Sequence, residues 1–207
     1  METFLIIMGC VMIGHIGQMP SFAAEKFKDK DALCFEGQSF TFEDLSNLIE
    51  KFSSSLHNLG IRQNDVVTLY ASNSWEWIVS YFSIARIGAV RNPVNTMLTP
   101  SEVKHVVNDC KAKAIITSHD KASAIINIKN DTSVNTIISF GRAPQGTEEF
   151  NNLIKNQFQP VKMPNIIPED LSTIGYTSGT TGHPKGAMQS HKSVVINGAM
   201  TSQLHMR

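Results

Sequence analysis

Tyr176–Met188 reads YTSGTTGHPKGAM. Gly179, Gly182 and Gly186, the hydroxyl residues Thr177, Ser178, Thr180 and Thr181, and Lys185 all fall within it. The run in front of it, Leu171–Thr177, is apolar enough to read as a β-strand. Glycines let the backbone adopt positive φ and approach a ligand closely. Successive backbone N–H groups in such a loop make an anion-binding concavity. Hydroxyls add donors, and a lysine adds a point charge suited to phosphate. The layout is a strand followed by a phosphate-cradling loop.

The loop departs from GxxxxGK[ST], which runs straight into a helix. Pro184 precedes Lys185, and Gly186 stands where Ser or Thr would be. Proline supplies no N–H and biases His183 away from helical geometry. The chain is therefore expected to leave as extended backbone over Gly186–Gln189, with a helix starting near Ser190 or His191. The competing reading, a flexible Gly/Ser/Thr linker, fits poorly with a Pro-Lys-Gly end behind an apolar strand.

Working outward, the remaining chain alternates. Gln18–Lys30 reads as a short lead-in helix, and Ala32–Glu36 with Ser39–Thr41 as a hairpin about Gly37-Gln38. Thr41 and Asp44 form a capping-box pattern, followed by Leu45, Leu48, Ile49, Phe52, Leu56 and Leu59 at helical spacing and a stop at Gly60. Asp65–Tyr70 is a strand, Ser74–Ile87 a helix, and Ala89–Val94 a strand with Pro93 near its end. Thr99, Pro100 and Glu102 start the next helix, with Val103, Val106, Val107 and Cys110 as its buried stripe. Ala114–Thr117, a helix around Lys121–Ile128, and Thr136–Phe140 continue the pattern. Gly141–Thr147 is a loop, Glu148–Gln157 a helix, and Pro160–Pro168 a connector. A helix over Lys192–Gln203 ends the series. This alternation predicts an α/β fold, a largely parallel sheet with helices on both faces. Ligands in such sheets sit beyond the carboxyl ends of the strands, where the loop falls.

Composition narrows the function. Lys plus Arg equals Asp plus Glu at 18 each, giving zero formal charge. No basic stripe points to nucleic acid, and the aromatics Trp75, Trp77, Tyr81 and Phe82 read as core because no basic residues interleave with them. Three cysteines, Cys10, Cys34 and Cys110, are odd in number and far apart. That argues against a disulfide framework or zinc site and for a reducing, cytoplasmic setting. Cys34 and Cys110 are expected as small buried apolar residues. Phe4–Ile16 is apolar but short of a bilayer as a helix, and it lacks the positive start of a signal peptide. Residues 1–15 are read as an apolar stretch whose membrane association stays open.

Leu171–Gly186, LSTIGYTSGTTGHPKG, resembles the phosphate-loop signature of the AMP-forming acyl-CoA synthetases and their adenylate-forming relatives. Phe40–Leu45 (FTFEDL) and Ile84–Asn95 (IARIGAVRNPVN) are similar to two further segments of that family, in the same order. The resemblance runs from about Ile16 to Arg207. It implies that residues 16–207 are a partial AMP-binding domain, the incomplete N-terminal part of the adenylate-forming fold, cut after the phosphate loop. It implies ATP, Mg²⁺ and a carboxylic acid as ligands, with coenzyme A as co-substrate at a site outside this chain.

By the same resemblance, Thr177, Ser178, Gly179, Thr180, Thr181, Gly182 and Lys185 hold the β- and γ-phosphates. Lys185 is the expected catalytic cation and Thr177 the hydroxyl on the Mg²⁺ side. His183 falls at a variable position, and His191 and Lys192 are read only as opening the last helix. The implied reaction is an acid–CoA ligation through an acyl-adenylate. A fatty or related aliphatic acid is favoured by Asn92–Ser101 (NPVNTMLTPS). No Tyr-Gly-x-Thr-Glu segment follows the loop, nor a later ribose aspartate or C-terminal lysine. The chain is therefore expected to be an inactive fragment of such an enzyme. The alternative is a catalytically inactive, truncated nucleotide-binding or interaction protein. Oligomeric state is not legible.

Overall fold

The structure is a computed structural model that describes residues 7–8, 11–12, 14–156, 158–177 and 184–205. Strands β1 (Ile7–Met8) and β2 (Val11–Met12) pair antiparallel. A 3-10 turn, Ile16–Gln18, leads into α1 (Met19–Phe27) and the hairpin β3 (Asp31–Phe35) and β4 (Gln38–Thr41). Then follow α2 (Phe42–Asn58), β5 (Val66–Tyr70), α3 (Trp75–Arg86), β6 (Val90–Pro93), α4 (Pro100–Asp109), β7 (Ala114–Ser118), α5 (His119–Lys129) and β8 (Thr136–Phe140). The chain continues through β9 (Glu148–Glu149), α6 (Phe150–Leu153), β10 (Leu171–Thr177), β11 (Lys185–Ser190) and α7 (His191–His205).

Local chemistry sets the helix ends. Thr41 Oγ1 accepts from the Asp44 amide at 3.1 Å while Asp44 Oδ2 accepts from the Thr41 amide at 3.1 Å. Thr99 and Glu102 repeat the reciprocal pair, and Ser74 Oγ accepts from the Trp77 amide. Each satisfies amides that a first helical turn leaves without partners. Gly60 and Gly88, at φ 88° and 72°, close α2 and α3 in a conformation that costs a side chain dearly.

The seven-stranded sheet runs β11-β10-β6-β5-β7-β8-β9. Every pairing within it is parallel except β10–β11. Side chains alternate across the pleat and split the core in two. Val67, Leu69, Ala114, Ile116, Ile138 and Phe140 pack against α2, α3 and α6. Tyr70, Ile115 and Ile137 pack against α4 and α5. The expected α/β sheet with helices on both faces is what the chain forms. β5 connects to β6 on one side, and β6 connects back across β5 to β7. The winding therefore reverses between the carboxyl ends of β5 and β7.

Two expectations change. Glu148–Gln157 is not one helix: Glu148–Glu149 adds to the sheet edge beside Ile138 and Ser139, and the helix is only Phe150–Leu153. Phe150 is drawn into a ring cluster with Phe52, Trp75 and Phe140, which overrides the helical pattern around it. Cys34 is exposed, with Sγ 3.1 Å from Ser39 Oγ, because β3–β4 lies apart from the main sheet; Cys110 is half-buried. The extended exit from the loop is a strand that turns back on β10, which a search for parallel units would not yield. No helix among the described residues is long and apolar enough to cross a membrane.

Candidate functional site

Leu171–Thr177 forms the expected strand, and its parallel pairing with β6 puts Thr177 at the carboxyl edge of the sheet. β11 returns antiparallel with Thr177 opposite Lys185, Tyr176 opposite Gly186 and Gly175 opposite Ala187. Directly opposed residues share a face of the ladder. Thr177 and Lys185 therefore stand side by side at the stem of the loop, both exposed. Ser178, Gly179, Thr180, Thr181 and Gly182, the other expected phosphate contacts, lie outside the described residues, as does His183.

Packing fixes the stem. The Tyr176 ring lies over Gly186: a Cβ there would meet Tyr176 Cζ at 3.2 Å and Ile174 Cγ2 at 3.0 Å. The Tyr176 hydroxyl donates to Asp109 Oδ2 on α4. Burial, then this hydrogen bond to the carboxylate, pushes the phenol pKa up and keeps it protonated. Gly186 is thus required by the ring across from it.

β10 is tied to β6 largely by side chains. Arg91 Nε donates to the Ser172 carbonyl at 3.2 Å and its Nη2 to Ser172 Oγ. Asn92 Nδ2 donates to the Ile174 carbonyl at 2.8 Å while its Oδ1 accepts from Thr68 Oγ1 at 2.8 Å. Both residues are fully buried. Neither was singled out by sequence reasoning. The available signal was two polar residues in the middle of the run Ala89–Val94, read there as a strand. His191 was also missed as anything beyond a helix opener. It is 1% exposed and its Nδ1 accepts from the Ile16 amide at 3.4 Å. Burial, reinforced by Arg91, pushes its pKa down to about 4.

The carboxyl edge also carries two clefts. One of about 530 Å³ lies where the winding reverses, between Ser72–Ser74 after β5, Ser118–His119 after β7 and Gly141 after β8. A second, of about 410 Å³, lies between the ends of β5 and β6 and is lined by Asn73, Trp77, Pro93 and Asn95. Both openings lie beyond the carboxyl ends of the strands.

No group of three or more His, Cys, Asp or Glu side chains among the described residues is placed to hold a metal ion. Mg²⁺ commonly takes most of its oxygens from substrate phosphates and water. A single Thr177 hydroxyl at the loop stem fits as one added oxygen to a nucleotide-borne ion and would not hold one alone.

Comparison with known proteins agrees with this fold. The family described as AMP-binding enzyme matches residues 21–206. The chain is 33% identical over 170 residues to 4-coumarate–CoA ligase 4 of Arabidopsis thaliana, covering 78% of this chain and 30% of that protein. It is 30% identical over 195 residues to crotonobetaine/carnitine–CoA ligase of Salmonella paratyphi A, covering 89% and 38%. Among solved structures, an anthranilate CoA ligase in complex with anthranoyl-AMP aligns with a TM-score of 0.81 at 29% identity, covering 86% of this chain and 35% of that one. The chain spans about a third of the length of the curated relatives it matches.

Proposed function

The chain belongs to the AMP-binding enzyme family, and from that premise we propose that it supplies the phosphate-gripping part of an AMP-forming acid–CoA ligase. In the proposed reaction a carboxylate oxygen attacks the α-phosphorus of ATP. The bond from that phosphorus to pyrophosphate breaks, leaving an acyl-adenylate. The thiol of coenzyme A then attacks the acyl carbon and AMP departs. Negative charge gathers on pyrophosphate in the first step. Lys185, Thr177 and the residues Ser178–Gly182 meet it with a cation, hydroxyls and backbone amides. Donors aimed at developing charge contribute about 10²–10³ in rate each. Mg²⁺, when bound with ATP, neutralises part of the phosphate charge, and Thr177 offers it one oxygen. Coenzyme A is not assigned to any residue of this chain.

The observation that carries the reading is the Thr177–Lys185 rung, which holds the two ends of the loop together at the carboxyl edge. Titrating the 207-residue chain with Mg·ATP by calorimetry tests it. We expect binding that Lys185→Ala weakens and Lys185→Arg partly retains. Equal affinity in Lys185→Ala refutes the role.

A fatty or related aliphatic acid is our proposed substrate class, resting on Asn92–Ser101. An aromatic acid competes, since several similar ligases are named for aryl acids. Pyrophosphate exchange into ATP, measured with a panel of acids, separates them, and pyrophosphate exchange with none points to the second reading. In that second reading the chain binds nucleotide without catalysis.

A further inference from the structure

Behind the loop stem, on the α3 side of the sheet, lies a polar layer that the proposed chemistry does not use. Arg91 is fully buried, Thr173 is its register partner on β10, and His15 and His191 are 3% and 1% exposed. The two imidazoles meet edge to face, with ring centroids 5.6 Å apart. The Arg91 guanidinium stacks 4.1 Å from the Tyr81 ring centre.

Four buried polar atoms in this layer have no partner among the described residues: Arg91 Nη1, His191 Nε2, His15 Nδ1 and Thr173 Oγ1. Arg91 Nη1 is a donor only. His191 Nδ1 accepts from the Ile16 amide, so in the neutral ring the proton sits on Nε2, which then donates. The Thr173 hydroxyl and His15 Nδ1 can each donate or accept. Arg91 Nη1 and His191 Nε2 are the two donors that no acceptor among the described residues reaches.

No carboxylate among the described residues pairs with Arg91. Arg86, which faces His15 from α3, is paired with Glu50 at 3.0 Å. Asp170 acts on both histidines from the connector before β10 and forms no ion pair with Arg91. Arg91 therefore holds its charge in the interior against the Tyr81 side chain and without a carboxylate partner, an arrangement that costs stability.

We infer that the layer enclosed by Arg91, His191, His15 and Thr173 binds one small inorganic monoanion of halide size. The ion accepts from Arg91 Nη1 and His191 Nε2 and neutralises the guanidinium. It joins three separate stretches: the turn at His15–Ile16, strand β6, and the β11–α7 junction at the exit of the loop.

Two measurements on the 207-residue chain test this. Crystals grown with sodium bromide are expected to show an anomalous bromine peak within hydrogen-bonding reach of Arg91 Nη1 and His191 Nε2. Replacing gluconate by chloride at fixed ionic strength is expected to raise Tm by about 2–4 °C. His191→Asn keeps an acceptor for the Ile16 amide and deletes the Nε2 donor, so it should fold and lose most of that rise. Arg91→Met should abolish it. A water oxygen without halogen signal at the position, or a Tm indifferent to halide in the unmutated chain, overturns the inference.

Discussion

Gly186→Ala puts the packing of the loop stem to a quantitative test. In an open strand, alanine is favoured over glycine by about 0.5–1 kcal/mol, because glycine loses more freedom on folding. Here the added Cβ would sit 3.0 Å from Ile174 Cγ2 and 3.2 Å from Tyr176 Cζ. Both neighbours must yield by a few tenths of an ångström, and Tyr176 is anchored through its hydroxyl to Asp109. Forcing a methyl group into such a contact costs about 1–3 kcal/mol, and swinging the ring away forfeits the hydrogen bond instead. Because β11 lies at an exposed edge, some strain relaxes, and we expect a net loss of about 1–2 kcal/mol. For a chain of this size that lowers Tm by about 3–6 °C. Urea unfolding of the four proteins of a Gly186→Ala and Tyr176→Ala cycle gives the decisive number. Once the ring is gone, Gly186→Ala should cost close to nothing, leaving a coupling of about 1 kcal/mol or more. A Gly186→Ala protein as stable as the original, or a cycle without coupling, refutes the claim that Tyr176 dictates this glycine.

Four further outcomes are expected. His191 and His15 are held neutral in the fold by burial and neighbouring arginines, with His191 at about 4. An unfolded histidine takes up its proton near pH 6.5. Between these values the unfolded chain binds more protons, so Tm should fall as pH drops from about 6.5 toward 4, and His191→Asn should flatten that slope. Thr99→Ala removes the side-chain half of a reciprocal cap, leaving the residue-99 amide on Glu102, and should cost about 1 kcal/mol in urea unfolding, with ATP binding unchanged. Phe150→Ala empties a fully buried position in a four-ring cluster and should cost about 3–5 kcal/mol, seen as a large fall in the urea midpoint. Asn92→Leu leaves the Ile174 carbonyl without its side-chain donor and should loosen β10, read as faster amide exchange there than in β5.

What was legible in the sequence was local. The strand Leu171–Thr177, the caps at Thr41 and Thr99, and the stop at Gly60 each follow from a few adjacent residues. The structure has them where that chemistry puts them. The loop stood out by its composition; its stem residues Thr177 and Lys185 lie opposite each other, and the residues between them lie outside the described ones. What escaped depends on residues far apart in the chain. Arg91 and Ser172 are bonded across 81 positions, and Ile16 and His191 across 175. No periodicity announces such pairs. The short α6 escaped for a related reason, since ring packing outweighs the helical spacing of Glu148–Gln157. The exposure of Cys34 follows from where the β3–β4 hairpin stands, which its own alternation does not encode.

The two legs of the loop stem are anchored unequally. β10 is fastened to the sheet by Arg91 and Asn92, whereas among the described residues β11 pairs only with β10 and passes directly into α7 at His191. A molecule that draws Lys185 toward itself therefore works on a flap with its fulcrum along one ladder. The displaced arm is α7, so tension at the mouth of the loop is felt first as torque on a helix and on the buried imidazole at its foot.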